Sequence, residues 1–290
     1  MKIRNLAITL LAPVLWGTTY LVTTQFLPME RPLLFGALRA LPVALLLMLF
    51  VRKLPSRDWW AKIFWLSVFN IFLFFGLFFY AAYRLPGGVA ATLGAFNPFF
   101  VALFAWPILH KKPKKHTLIA AGLGIAGVAI MVLNPDEMLD WWGVFFAVAA
   151  TLSIAPGTVL TKKWGLPDSP FVSTTWQLLI AGILLMIIAL IVEGPLPKFN
   201  TENYLALGYL SFIATGLAYI AWFYGLEKIK PHIAAILTLS TPLVAVVLDW
   251  VILGKHLNLI QIGGGILILT SIIYEAFKQK KEDEEAKAKS

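Results

Sequence analysis

The sequence predicts an all-α integral membrane protein of ten transmembrane helices, built as two inverted five-helix repeats. Three observations lead there. Of 290 residues, 59% are hydrophobic and 13% are charged, about half the charged share of an average soluble chain. The Lys and Arg residues that give a net charge of +9 fall in clusters between apolar runs, as topology signals do rather than nucleic-acid patches. The second half of the chain also repeats the first in collinear order.

A spanning helix needs about 20 largely apolar residues. Runs of that kind occupy residues 5–26, 32–51, 60–83, 87–109, 117–133, 141–160, 170–192, 203–226, 232–253 and 258–275. Breakers or charges fill the gaps, as in Leu27-Pro28-Met29-Glu30-Arg31-Pro32 and His110-Lys111-Lys112-Pro113-Lys114-Lys115. The first run follows Lys2 and Arg4 as a signal peptide would, but it is too long for a signal's apolar core and a second span follows at once, so it reads as a retained helix. With the N-terminus cytoplasmic, nineteen basic residues fall on the inside and only Arg31, Arg84, Lys198 and Lys255 on the outside. That asymmetry satisfies the positive-inside rule and puts both termini in the cytoplasm. The expected location is a bacterial inner membrane. The expected organisation is a first repeat over 1–137, a second, inverted repeat over 138–276, and a charged tail over 277–290 that is solvated and partly disordered.

The repeat is clearest at an offset of 144, where Phe79, Tyr80, Ala90, Ala91, Pro98, Trp106, Leu109 and Lys111 meet identical residues. Five helices per copy is an odd number, so the second copy enters the membrane from the opposite side. Inverted halves of this kind suit a transporter, because they exchange conformations around one central site.

Several residues inside the spans are candidates for that site. Arg39 is the deepest basic residue, and a charge at such depth costs at least a few kcal/mol unless it is paired or wetted. It either lines a cavity and meets a substrate carboxylate or a helix C-terminus, or snorkels to the outer interface. Gln177 stands at the matching position of the second repeat. Asn97-Pro98 and Thr241-Pro242 fall within the fourth and ninth spans at equivalent positions, and Pro98 and Pro242 are expected to break those helices at a cavity. Trp16, Tyr20, Tyr80, Trp176, Tyr219 and Tyr224 are aromatic residues deep enough to line it. Asp249 is the one acidic residue placed to carry a coupling proton, unless it pairs with Lys255. Glycines 122, 124 and 127, and 263, 264 and 265, suit close helix packing or dimer contact in the fifth and tenth spans.

Nothing in the sequence points to catalysis, a metal or a cofactor. There is no cysteine, no His-Glu-x-x-His, no Gly-x-Ser-x-Gly and no Walker-type loop, and all four histidines lie at span ends. A lipid-modifying enzyme would need a polar catalytic cluster that is not found, so transport driven by gradients is the better reading.

Trp16-Gly17-Thr18-Thr19-Tyr20, Leu38-Arg39-Ala40, Tyr80-Ala81-Ala82 leading to Val89-Ala90-Ala91, and Pro98 with Pro242 together resemble the EamA-like branch of the drug/metabolite transporter superfamily over the whole chain. The resemblance implies a ten-helix exporter of amino acids or related small metabolites, with a multidrug or nucleotide-sugar carrier as the alternative. It also implies a central cavity lined by the first four helices of each repeat, with the fifth and tenth peripheral. The expected partners are a small-molecule substrate and the lipid bilayer, with no nucleic acid, and the expected state is a monomer or weak homodimer. The chain departs from the family pattern at the ends of the fourth and ninth spans, where His110-Lys111 and Gly254-Lys255 replace the usual Gly-Glu.

Overall fold

The computed structural model describes residues 3–28, 31–85, 93–94, 96–110, 112–132, 140–254 and 259–288. Within them the chain is helical, with no strand. The helices are α1 (Ile3–Phe26), α2 (Pro32–Val51), α3 (Arg57–Ala82), α4 (Asn97–Leu109), α5 (Lys115–Val132), α6 (Trp141–Trp164), α7 (Pro170–Val192), α8 (Thr201–Lys228), α9 (Pro231–Leu237), α10 (Ser240–Leu253) and α11 (Leu259–Ala288). Among the described residues seven helices are long and apolar enough to cross a membrane, counting Ile233–Ile252 as one; Asn97–Leu109, Lys115–Ile130 and Ile262–Glu275 are shorter apolar helices.

Local chemistry sets the helix starts. Proline opens α2, α7 and α9 and is the second residue of α4, where its missing N–H costs nothing. The Asp140 carboxylate accepts the Trp142 and Gly143 amides at the head of α6, the Ser169 hydroxyl accepts the Val172 amide of α7, and Asn200 and Asn203 cap α8 reciprocally. At the head of α2 the cap comes from elsewhere in the chain: Glu193 accepts the Leu33 and Leu34 amides at 2.8 and 2.9 Å.

The burial pattern is that of a membrane protein. Phe50, Ile191 and Trp141 are each about three-quarters exposed, whereas Thr19, Thr158, Ser173, Thr174, Thr175 and Gln177 are buried. Large apolar side chains facing outward need hydrocarbon around them. Small and hydroxyl-bearing residues inside let helices approach closely and bond across. At Gly127 on α5, an added Cβ would lie 2.8 Å from the Gly264 carbonyl oxygen of α11, so this glycine is needed for the two backbones to meet. Gly122 and Gly263 face open space.

The most extensive helix pairs are α3 with α6, α2 with α7 and α5 with α11, followed by α1 with α8, α4 with α6, and α1 with α10. Exchanging the two halves of the chain maps this set of contacts onto itself. The irregularities are paired as well. A wider, π-type turn interrupts α3 at Val68–Phe72 and α8 at Tyr209–Leu217, about 141 to 145 residues apart.

Both prolines stand just after an interruption: Pro98 lies in the first turn of α4, preceded by a tight turn in which the Phe96 amide reaches the Leu93 carbonyl, and Pro242 lies in the first turn of α10, preceded by the turn at Thr238 and Leu239. The expected disorder of the tail needs correction: α11 continues to Ala288 because Glu282 meets Lys114 at 2.6 Å and His116 at 3.0 Å, while His116 also holds the buried Glu275 at 2.9 Å. These contacts tie the tail to the head of α5.

Candidate substrate cavity

A cavity of about 110 Å³ opens among α1, α2, α3, α6 and the segments that precede and begin α4 and α10. Its walls are largely aromatic, from Trp16, Tyr20, Phe74, Phe75 and Phe78. Polar groups enter from Thr19, Arg39, Asn97, Thr151, Thr238 and Thr241. One end abuts the two helix starts. The chain turns at Thr238 and Leu239 between α9 and α10, where the Leu239 and Thr241 amides make short-range bonds to Ile236 and Thr238. Asn97 of α4 reaches across to Thr238, its Nδ2 donating to Oγ1 at 3.4 Å.

Arg39 is 3% exposed and turned inward, so it does not snorkel. Its Nε donates to the Thr215 hydroxyl at 2.6 Å, and Nη2 donates to the Thr19 hydroxyl at 3.2 Å and to the Ala214 carbonyl at 2.9 Å. Ala214 and Thr215 lie in the wide turn of α8, an irregularity that often marks functional sites. The guanidinium sits 4.9 Å from the Phe75 ring centre. No described carboxylate bonds it, and none of its three bonds uses Nη1.

Behind the cavity lies a layer rich in aromatic and amide side chains. Trp16 packs on Tyr219 and Trp222 with ring centres 5.4 and 5.3 Å apart. The Tyr219 hydroxyl donates to the Asn70 carbonyl at 3.1 Å, again a carbonyl in a wide turn, this time of α3. The Asn70 amide donates to Gln177 Oε1 at 2.9 Å, and Gln177 Nε2 donates to Ser173 at 2.7 Å.

Trp16, Tyr20, Arg39, Asn97 and Pro242 therefore converge on one cavity, and Tyr219 packs directly behind it. The other expected residues lie elsewhere. Gln177 is fully buried in the amide cluster. Tyr80 stacks on Phe146 at 5.3 Å, Trp176 donates to the Lys53 carbonyl and packs on Trp60, and the Tyr224 hydroxyl donates to Asn5 at 3.2 Å. Each of these three uses its polar tip or ring face against a neighbouring segment. Pro98 is buried beside Asn97 but does not line the cavity. Asp249 falls on α10 with its side chain outside the described residues, and Lys255 also lies outside them. Thr19, Phe75, Thr238 and Asn70 were not anticipated. Asn70 carried a signal, as a lone amide within the Phe-rich run from Phe69 to Phe79.

Away from the cavity, Arg84 binds Asp140 at 3.0 Å. The Gly143 amide, the Arg84 guanidinium and the Trp142 amide hold the Asp140 carboxyl below its ordinary range. Glu193 at the head of α2 and Arg84–Asp140 at the head of α6 thus tie neighbouring helices at one end of the bundle.

A polytopic helical membrane protein with a mid-bundle aromatic cavity beside two helix starts is the architecture of a small-molecule transporter. The sequence model of the EamA-like transporter family matches residues 4–133 and again 141–274. The chain belongs to that family, within the drug/metabolite transporter superfamily, and is not an enzyme. It is 40% identical to Protein PecM of Dickeya dadantii (strain 3937) over 277 residues, covering 94% of this chain and 92% of that one. It is 26% identical to the uncharacterized transporter YvbV of Bacillus subtilis (strain 168), covering 97% and 94%. It is 24% identical to the uncharacterized inner membrane transporter YedA of Escherichia coli (strain K12), covering 90% and 87%. A solved crystal structure superposes with a TM-score of 0.81 at 17% identity over 97% of this chain and 99% of that one, a likeness of fold. The chain is an integral membrane protein, its setting is the lipid bilayer, and its partner is a small-molecule substrate.

Proposed function

We propose that the protein is a gradient-driven secondary transporter that exports amino acids or related small metabolites across the bacterial cell membrane by alternating access. The observation that carries this reading is Arg39. It is a buried cation with no described carboxylate partner, and it keeps Nη1 uncommitted beside an aromatic cavity. A charge kept at such a cost inside a bundle implies function, and an anionic substrate group is the partner it lacks. Arg39 lies seven residues into α2, about 10 Å along the helix. With the termini cytoplasmic, the cavity occupies the outer half of the bilayer, and the Tyr219–Asn70–Gln177 cluster closes the path inward.

Ten spans in two inverted halves fit the doubled family match, the half-exchange symmetry of the helix contacts and the paired wide turns in α3 and α8. Such halves swap roles as the site changes sides. Trp16, Tyr20, Arg39 and Asn97 are proposed to touch the substrate, with Tyr219 behind the cavity. A cavity of about 110 Å³ supports a small metabolite over a nucleotide sugar or bulky drug. The test is counterflow into proteoliposomes loaded with mixed metabolites. Accelerated exchange of a small anionic or zwitterionic compound, lost in the Arg39→Ala protein, is expected; failure to exchange any metabolite refutes the reading.

A further inference from the structure

The hydrogen bonds around the cavity constrain what it can hold. Thr238 Oγ1 donates to the Ala235 carbonyl at 2.6 Å, so its proton is committed and it can only accept from Asn97. That fixes the Asn97 amide with Nδ2 toward Thr238, leaving Oδ1, which is buried and has no partner, as an open acceptor. Thr151 donates to Ala147 at 2.9 Å and Thr241 donates to Pro13 at 3.1 Å, so these hydroxyls also offer only lone pairs. The described lining therefore presents one uncommitted cationic donor, Arg39 Nη1, and one buried acceptor without a partner, Asn97 Oδ1, together with the neutral hydroxyls of Thr19 and Tyr20, the Trp16 indole N–H, aromatic walls, and no carboxylate.

On the reading of the cavity as the transport site, we infer that its preferred substrate is a single-ring aromatic monoanion that carries one neutral hydrogen-bond donor and lacks an ammonium group. The carboxylate meets Arg39, the ring lies between Trp16, Tyr20 and the α3 phenylalanines, and the neutral donor satisfies Asn97. An α-amino acid fits poorly. Its ammonium is attached one carbon from the carboxylate, so docking that carboxylate on Arg39 sets two cations side by side in an apolar site with no counter-charge. A compound without the neutral donor leaves Asn97 Oδ1 unpaired, a loss that sites built to bond a hydroxyl penalise.

The experiment compares four ligands sharing one skeleton as competitors and as counterflow substrates in proteoliposomes: 4-hydroxyphenylacetate, phenylacetate, tyrosine and tyramine. The half-saturation concentration of 4-hydroxyphenylacetate is expected to be about tenfold or more below those of the others. Asn97→Asp, which places a carboxylate where the orphan oxygen stands, is expected to reverse the order by weakening the anion and admitting tyrosine and tyramine. Tyrosine handled as well as 4-hydroxyphenylacetate by the unmodified protein overturns the inference and leaves the export reading intact. Exchange of none of the four, where a mixed metabolite load does exchange, also overturns the inference alone. No exchange with either load overturns both. The ligand series on the unmodified protein decides the matter even if Asn97→Asp does not fold.

Discussion

Replacing Arg39 by methionine keeps a long apolar stem and removes the guanidinium. Three hydrogen bonds go, to Thr215, Thr19 and the Ala214 carbonyl. The two hydroxyls can reorient, whereas the Ala214 carbonyl is left buried without its donor, at about 1–3 kcal/mol. No described carboxylate is stranded, so the cost stays below the roughly 3–5 kcal/mol of a broken buried ion pair, and loss of a desolvated cation offsets part of it. The protein is therefore expected to reach the membrane in near-normal amount. Transport is affected differently. A hydrogen bond to a charged partner contributes about 1.5–3 kcal/mol, so losing the one from Nη1 to the substrate raises the half-saturation concentration about 10- to 150-fold. Arg39→Lys keeps the charge but not the fork that binds Thr215 and Ala214 together, and should fall between. Initial rates of counterflow against substrate concentration, normalised to protein in the liposome, measure this. A half-saturation value for Arg39→Met within twofold of the unmodified protein would refute the role of Arg39 in binding and leave it a purely structural link between α2 and the wide turn of α8.

Other perturbations test the frame around the cavity. Gly17→Ala places a Cβ 2.7 Å from Val244 Cβ and 2.8 Å from the Thr241 carbonyl oxygen; because backbone lies on one side, α1 and α10 must separate, and a loss of about 1–3 kcal/mol should appear as a lower melting temperature in detergent together with lost transport. Glu193→Ala removes the acceptor of two amides at the head of α2 and should cost about 1–2 kcal/mol by the same melting assay, with Glu193→Gln recovering part. Since the folded Asp140 carboxyl titrates below its ordinary value of 3.8, its contribution is fully present above that value and is lost as pH falls through the lower, folded one. The melting-temperature gap between the unmodified protein and Asp140→Asn should hold steady from pH 7 to 5 and close only under strongly acidic conditions; a gap that closes near neutral pH would show that another group is responsible.

The sequence by itself determined the medium and the all-helical class, and it carried the ordered identities between its two halves. Hydrocarbon requires long apolar helices, so composition and run length are direct readings of the bilayer, and the ordered identities between halves survive any choice of helix boundary. It also singled out Arg39, because an arginine within an apolar run needs a partner, water or a path to the interface. What it left open was the direction in which each side chain points. Apolar residues lie on every side of a membrane helix, so periodicity cannot separate the cavity face from the lipid face. Tyr80, Trp176 and Tyr224 therefore looked equivalent to Trp16 and Tyr20 until packing set them apart. The carbonyls that accept from Arg39 and Tyr219 lie in wide turns of α8 and α3, which no residue pattern announced. The tail is helical where its run of Lys and Glu suggests partial disorder, because Glu282 meets Lys114 and His116 at the head of α5. Only the tertiary structure could decide these points, since each depends on contacts between helices distant in sequence.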